Sequence, residues 1–156
     1  MAGSVESIYI AADAEGETLP VGEIRAIAGQ GLEGDRYFAG GGTFFDERKT
    51  GQDITLIEAE AIEALARVHG IQLGPGESRR NVVTRGIGLN DLVGRRFTVG
   101  EVECVGRRLC DPCSHLEGLT QPGVLKGLVN RGGLRADVVI GGRIAIGDAV
   151  SDLGPS

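Results

Sequence analysis

The chain has no tryptophan, and all its aromatics together make up 4% of 156 residues. Unpaired bases are held by stacking on exposed rings, so single-stranded nucleic acid is a poor partner. Excess positive charge is also missing: the formal net charge is −6, which repels a phosphate backbone overall and leaves only local arginine clusters to hold an anion. Nowhere do 18 apolar residues run consecutively, which excludes a membrane-spanning helix. The N-terminal "MAGSVESIYIAADAEG" lacks the basic and apolar regions of a secretion signal, giving the expectation of a cytoplasmic protein. Three cysteines, an odd number, make no disulfide framework and read as thiols, metal ligands or packing.

What is abundant is glycine, 27 residues, scattered between short Val/Ile-rich runs without repeat or low-complexity block. That punctuation predicts a mostly β chain. Strands are expected over Ser4–Ala12, in "GEIRAIAG", over Ile54–Ile57 and Asn81–Thr84, and as a pair joined at Gly100–Glu101. A further pair, Leu134–Ile140 and Arg143–Ile146, is expected to form a hairpin through Gly141–Gly142. Only one stretch changes period: Ala61, Ile62, Leu65 and Ala66 recur at helical spacing, with Gly70 placed for a left-handed cap. Helical turns are expected in "LNDL" and "VLKGLVNRGG". Short strands with one main helix predict a closed or half-closed β-barrel, which removes exposed edges. One domain over residues 1–150 and a loose tail over 151–156 are expected.

Chemistry concentrates in "RRLCDPCSHLEG", Arg107 to Gly118, where four readings compete. Zinc would take Cys110, Cys113 and His115, but a structural site needs four ligands and no second pair of Cys or His motifs completes it. A thioredoxin-like CxxC wants a βαβ unit, which is missing. Packing is the usual fate of a free Cys and the better reading for Cys104. For Cys113 a reactive thiol stands level with packing: Ser114 and Glu117 are spaced as a capping box, setting its sulfur near free N–H donors, with Arg107, Arg108 and His115 close in sequence. Pro112 holds Asp111 extended and fixes the entry to this turn.

A second constellation, "ESRRNVVTRG", groups Arg79, Arg80 and Arg85 around Asn81. Guanidinium forks suit phosphate or carboxylate, and surface pairing with Glu77, Glu58 or Asp91 is the plainer alternative. Because side chains alternate along a strand, only one of Arg79 and Arg80 can share the face of Cys113, and Arg80 is the expected one. A third stretch, Gly31 to Phe44, centres on Asp35 and Arg36 but lacks the Lys and Ser/Thr of a phosphate loop.

Taken in order, "GLEGDRYF", "ITLIEAEAIEAL", "GPGESRRNVVTRGIGLNDLVGRRFTVG", "CDPCSHLEGL" and "RGGLRADVVIGGRIAIGDAV" resemble the MOSC family, named for the C-terminal domain of molybdenum cofactor sulfurase, over roughly Val21 to Val150. The resemblance implies a β-barrel and a sulfur-carrier cysteine at the "PC" dipeptide, Cys113, with Cys110 as an assisting thiol. It implies a molybdenum cofactor (molybdopterin) whose phosphate suits Arg79, Arg80 and Arg85, with Asn81, Asp35 and Arg36 in the same cleft. It further implies a cysteine desulfurase as sulfur donor and the cofactor or a molybdoenzyme as acceptor. Pyridoxal phosphate belongs to that donor; Lys49 and Lys126, the only lysines here, stand in no recognisable cofactor context. The family's amidoxime reductases carry an extra N-terminal barrel region, so a chain this short is expected to be a carrier or a passive module with Cys113 as a molybdenum ligand.

Overall fold

A computed structural model describes residues 2–11, 18–35, 51–73, 76–110 and 131–155. In chain order the elements are β1 (Ala2–Ile10), β2 (Leu19–Val21), β3 (Glu23–Ile27), β4 (Gly31–Leu32), β5 (Ile54–Glu58), α1 (Ala59–His69) and β6 (Val82–Arg85). A 3-10 turn over Leu89–Leu92 leads into β7 (Arg95–Val99) and β8 (Val102–Leu109), and β9 (Leu134–Ile140), β10 (Gly142–Ala145) and β11 (Ala149–Pro155) complete the set.

Seven strands close a ring in the order β1, β11, β7, β8, β9, β5, β6 and back to β1, so the fold is the expected closed, mostly β barrel with one helix. β2 continues along the edge of β1 that β11 leaves, and β10, β3 and β4 form a separate three-stranded sheet. All ladders are antiparallel except β5–β6. A parallel pair needs a crossover, and α1 supplies it, with Gly70 at φ 67 capping its end.

Alternation fills the barrel with apolar side chains: Ile8, Ile54, Leu56, Val82, Phe97, Val102, Leu134 and Val150 are all sealed from water. The opposite faces of β5 and β6 present Ile57 and Val83 to α1, where Ala59 and Ala61 pack with Tyr9. Without the helix this second layer would face water. No helix among the described residues is long and apolar enough to cross a membrane.

Two expectations are corrected. Residues 151–155 are not a loose tail but the greater part of β11, paired to β7 from Val150↔Val99 to Pro155↔Arg95; the edge that barrel closure would otherwise leave bare holds them in place. Gly141–Gly142 does not turn a β9–β10 hairpin: β10 leaves the barrel and pairs with β3, from Gly142↔Ala26 to Ala145↔Glu23. A Cβ on Gly141 would lie 2.7 Å from the carbonyl oxygen of Ala26, and one on Gly142 would lie 2.8 Å from the Cβ of Glu101. The glycines therefore permit close backbone approach where the chain switches sheets.

Candidate functional site

The turn before β6 sets the direction of two adjacent side chains. The Arg79 N–H bonds the carbonyl of Gly76 at 3.0 Å, and Arg79 itself takes φ 61. Arg80 then turns inward and is only 9% exposed. Its Nε donates to the Gly132 carbonyl at 2.7 Å, Nη2 to the Cys110 carbonyl at 3.2 Å and Nη1 to the Ser78 carbonyl at 3.4 Å. Among the described residues no carboxylate pairs with it. Neutral carbonyls satisfy N–H groups without cancelling charge, so a buried cation is left at the end of the barrel where β8 runs out and β9 begins. Here too the Cys110 N–H bonds the Gly133 carbonyl at 2.7 Å, closing the base of the segment between Cys110 and Arg131.

Asn81 serves a different network. Its Oδ1 accepts the Thr55 backbone N–H and hydroxyl, both at 3.0 Å, while Nδ2 donates to the Tyr9 carbonyl and to Asp35 Oδ1, both at 3.2 Å. The Ala11 N–H also reaches Asp35 Oδ1, at 3.1 Å. Asn81 and Asp35, both buried, thus lace β1, β5, β6 and the segment after β4 together, on partners distinct from those of Arg80. Arg85 lies at the far end of β6, pairing Glu6 on β1 and Glu63 on α1. This guanidinium holds the Glu63 carboxyl below the usual carboxylate range, and the two carboxylates raise Arg85 above its ordinary value.

The structure therefore brings Arg80, Ser78, Cys110 and Gly132 together, sets Asn81 and Asp35 beside them as scaffold, and leaves Arg85 with the helix. Cys113, His115 and Arg36 lie outside the described residues. Cys110 is 1% exposed. Cys104 sits in the core as packing, and burial pushes its thiol far above the ordinary range. Among the described residues no three His, Cys, Asp or Glu side chains converge as metal ligands. Sequence reading missed Ser78, Thr55 and the Gly132–Gly133 pair, whose signal was the "RGGL" dipeptide glycines. Gly133 takes φ 109, and a Cβ there would collide with the Leu56 carbonyl oxygen.

A cleft of about 290 Å³ opens between β1, β6 and α1, floored by Tyr9, Ile62 and Val83. Another, of about 460 Å³, lies where Glu23, Arg25, Glu33, Glu101 and Arg143 meet. Neither is lined by Arg80.

The sequence profile of the MOSC domain matches residues 34–151. Among solved structures, the YuaD protein from Bacillus subtilis superposes with a TM-score of 0.79 at 20% identity, over 96% of this chain and 94% of that one. YiiM from Escherichia coli gives 0.71 at 18% identity over 100% and 71%, and YiiM from Geobacillus stearothermophilus 0.73 at 14% over 97% and 75%. At these identities the likeness is one of fold. A search of curated protein sequences finds no match.

Proposed function

The chain belongs to the MOSC domain family, linked to molybdenum-cofactor binding or sulfur transfer, and from that premise we propose that it is a sulfur carrier in which Cys113 alternates between thiolate and persulfide. The observation that supports this is Arg80: a guanidinium sealed by protein, hydrogen-bonded only to carbonyls among the described residues, and tied to the backbone of Cys110. Three peptide units separate Cys110 from Cys113, so their Cα atoms are at most about 11 Å apart. The charge on Arg80 stands at the base of the segment that bears Cys113, and a cation there would favour thiolate over thiol.

In the transfer, the Cys113 thiolate attacks the terminal sulfur of a donor persulfide, R–S–SH. The new S–S bond forms as the old one breaks, the donor leaves as R–S⁻, and Cys113–S–SH keeps the proton; no oxidant or reductant is consumed. A desulfurase-type donor would carry its own pyridoxal phosphate, and the carrier would pass sulfur to the molybdenum cofactor or a molybdoenzyme. Asn81 and Asp35 hold the strand, Arg85 is committed to Glu6 and Glu63, and Arg80, its donors on carbonyls, would act on the anionic end of that cofactor through its charge. When bound, the cofactor supplies the metal centre at which delivered sulfur is used. Cys110 acts through its carbonyl, and His115, two residues beyond Cys113, adds a further donor in its sequence neighbourhood.

The test is intact mass after incubation with a cysteine desulfurase and cysteine. Wild type and Cys104→Ser should gain one sulfur, removable by dithiothreitol, and Cys113→Ser should gain none. Arg80→Lys, which keeps the charge but loses the fork, should load more slowly. A wild type that never gains sulfur ends the carrier reading and leaves the passive cofactor-binding one.

A further inference from the structure

The cleft of about 460 Å³ is lined by neither Arg80 nor Cys110, and it is built from charge. Its lining follows from strand register. Arg143 on β10 is directly opposite Arg25 on β3. The β3–β4 register, Ala26↔Leu32 and Ile27↔Gly31, runs on to Arg25 and Glu33, where the Glu33 N–H bonds the Arg25 carbonyl at 3.0 Å. On the other side of β10, the Glu101 N–H bonds the Arg143 carbonyl at 3.1 Å and the Arg143 N–H returns to Glu101 Oε1 at 3.0 Å. Glu33, Arg25, Arg143 and Glu101 therefore stand in one row across neighbouring segments, about 4.8 Å from one backbone to the next. The charges along it run minus, plus, plus, minus.

Two guanidiniums directly opposite on a ladder repel unless something negative lies between them. Glu23, two residues before Arg25 and on the same face of β3, reaches Arg143 Nη1 at 3.4 Å, but both side chains are more than half exposed and such a pair is weak. Among the described residues, no ion pair or side-chain hydrogen bond engages Arg25 or Glu33.

This pattern selects a class of ligand. Three carboxylates and two guanidiniums give the lining one net negative charge, which repels a nucleotide or any other polyanion. A simple cation meets two arginines in the middle of the row. Ile24 is the one large apolar side chain in the lining among the described residues, so an apolar molecule gains little by entering. A small molecule carrying both charges answers all three constraints, and the volume is within the range of about 300–1,000 Å³ usual for small-molecule sites.

We propose that this cleft binds a free α-amino acid, its carboxylate bridging Arg25 and Arg143 and its ammonium paired with Glu33 or Glu101 at an end of the row. The two charged groups of an α-amino acid share one carbon and so suit neighbouring positions of the row. The cleft then reads the part that all amino acids have in common. This inference goes beyond the carrier function and needs neither Cys113 nor Arg80.

The experiment is an NMR titration of the full chain, labelled with nitrogen-15, using L-alanine and its two halves: propionate, which lacks the ammonium, and ethylamine, which lacks the carboxylate. L-Alanine should shift the amide signals of Arg25, Glu33 and Arg143 and bind about tenfold more tightly than either half. Arg25→Gln should weaken L-alanine binding about tenfold, and Glu33→Gln/Glu101→Gln by a similar factor, while Arg67→Gln on α1 leaves it unchanged. Arg25, Glu33 and Glu101 are exposed, so these variants keep the fold, which the unchanged remainder of the amide spectrum verifies. Propionate binding as tightly as L-alanine makes this a plain anion site and overturns the proposal; ethylamine binding as tightly makes it a cation site and does the same. Tighter binding of alanylalanine, whose charges are a peptide unit further apart, assigns the cleft to peptides and overturns the free amino acid. Absence of any shift with L-alanine in large excess ends the proposal outright, and none of these outcomes bears on sulfur loading.

Discussion

Asn81 and Arg80 are neighbours in the chain and opposites in use. The Asn81 amide is enclosed by Thr55, Tyr9 and Asp35, and its backbone N–H and carbonyl bond the Thr55 hydroxyl and the Tyr9 N–H. Asn81→Ala strands the Thr55 N–H, the Tyr9 carbonyl and one contact of Asp35 inside the protein, and should cost about 2–4 kcal/mol in urea unfolding. A loss below about 0.5 kcal/mol would mean that the network is not structural. The sequence displayed "RRN" as one anion-binding cluster because residue type announces chemistry but not partners. Only the fold shows that Arg80 bonds carbonyls across the barrel end, that Asn81 bonds its own scaffold, and that Arg85 bridges Glu6 on β1 and Glu63 on α1.

Among the elements, α1 was legible to within two residues because its apolar period and Gly70 agree, β5 because it is a short apolar run, and β7, β8 and β9 because alternation and nearby glycines mark them. β2 and β4 were not, since strands of three and two residues leave no period to read. The Gly141–Gly142 misreading has the same root: a glycine pair signals freedom of backbone and proximity, and the sequence does not say to what. Gly133 offers the test at this scale. Its left-handed backbone and its contact with the Leu56 carbonyl both reject a side chain, so Gly133→Ala should lose about 3 kcal/mol or more. Gly147→Ala, at φ 92 with open space around its Cβ position, should lose clearly less. Equal losses would show that the close approach at Gly133 carries no weight beyond its φ.

For the whole molecule, pH pulls stability in two directions. Ion pairing holds Glu63 and Asp152 below the usual carboxylate range, both chiefly through an arginine, Arg85 and Arg95; their support is complete only above their unfolded values, 4.5 for Glu63 and 3.8 for Asp152, and is lost as pH falls through their lowered ones. Asp53 runs the other way. Half-burial raises it, with Asp137 adding repulsion against the relief of the Val138 N–H, so its charged form works against the fold at neutral pH. Asp53→Asn keeps an oxygen for that N–H and should raise the thermal midpoint at pH 7, a gain that vanishes near pH 3 where the wild-type carboxyl is neutral in both states. The same shift at both pH values would refute the assignment. Fold class was readable from glycine punctuation and short apolar runs, whereas barrel closure needed β11, hidden in what looked like a polar end.

That closure has a practical corollary. Ala2 and Ser151 are ladder partners on the β1–β11 seam, and Pro155 is four residues further on. A linker of about six residues would span the gap back to Ala2. The chain could then be circularised and reopened at the Gly100–Glu101 turn, giving a permutant that starts on β8 and presents the cysteine segment early in synthesis.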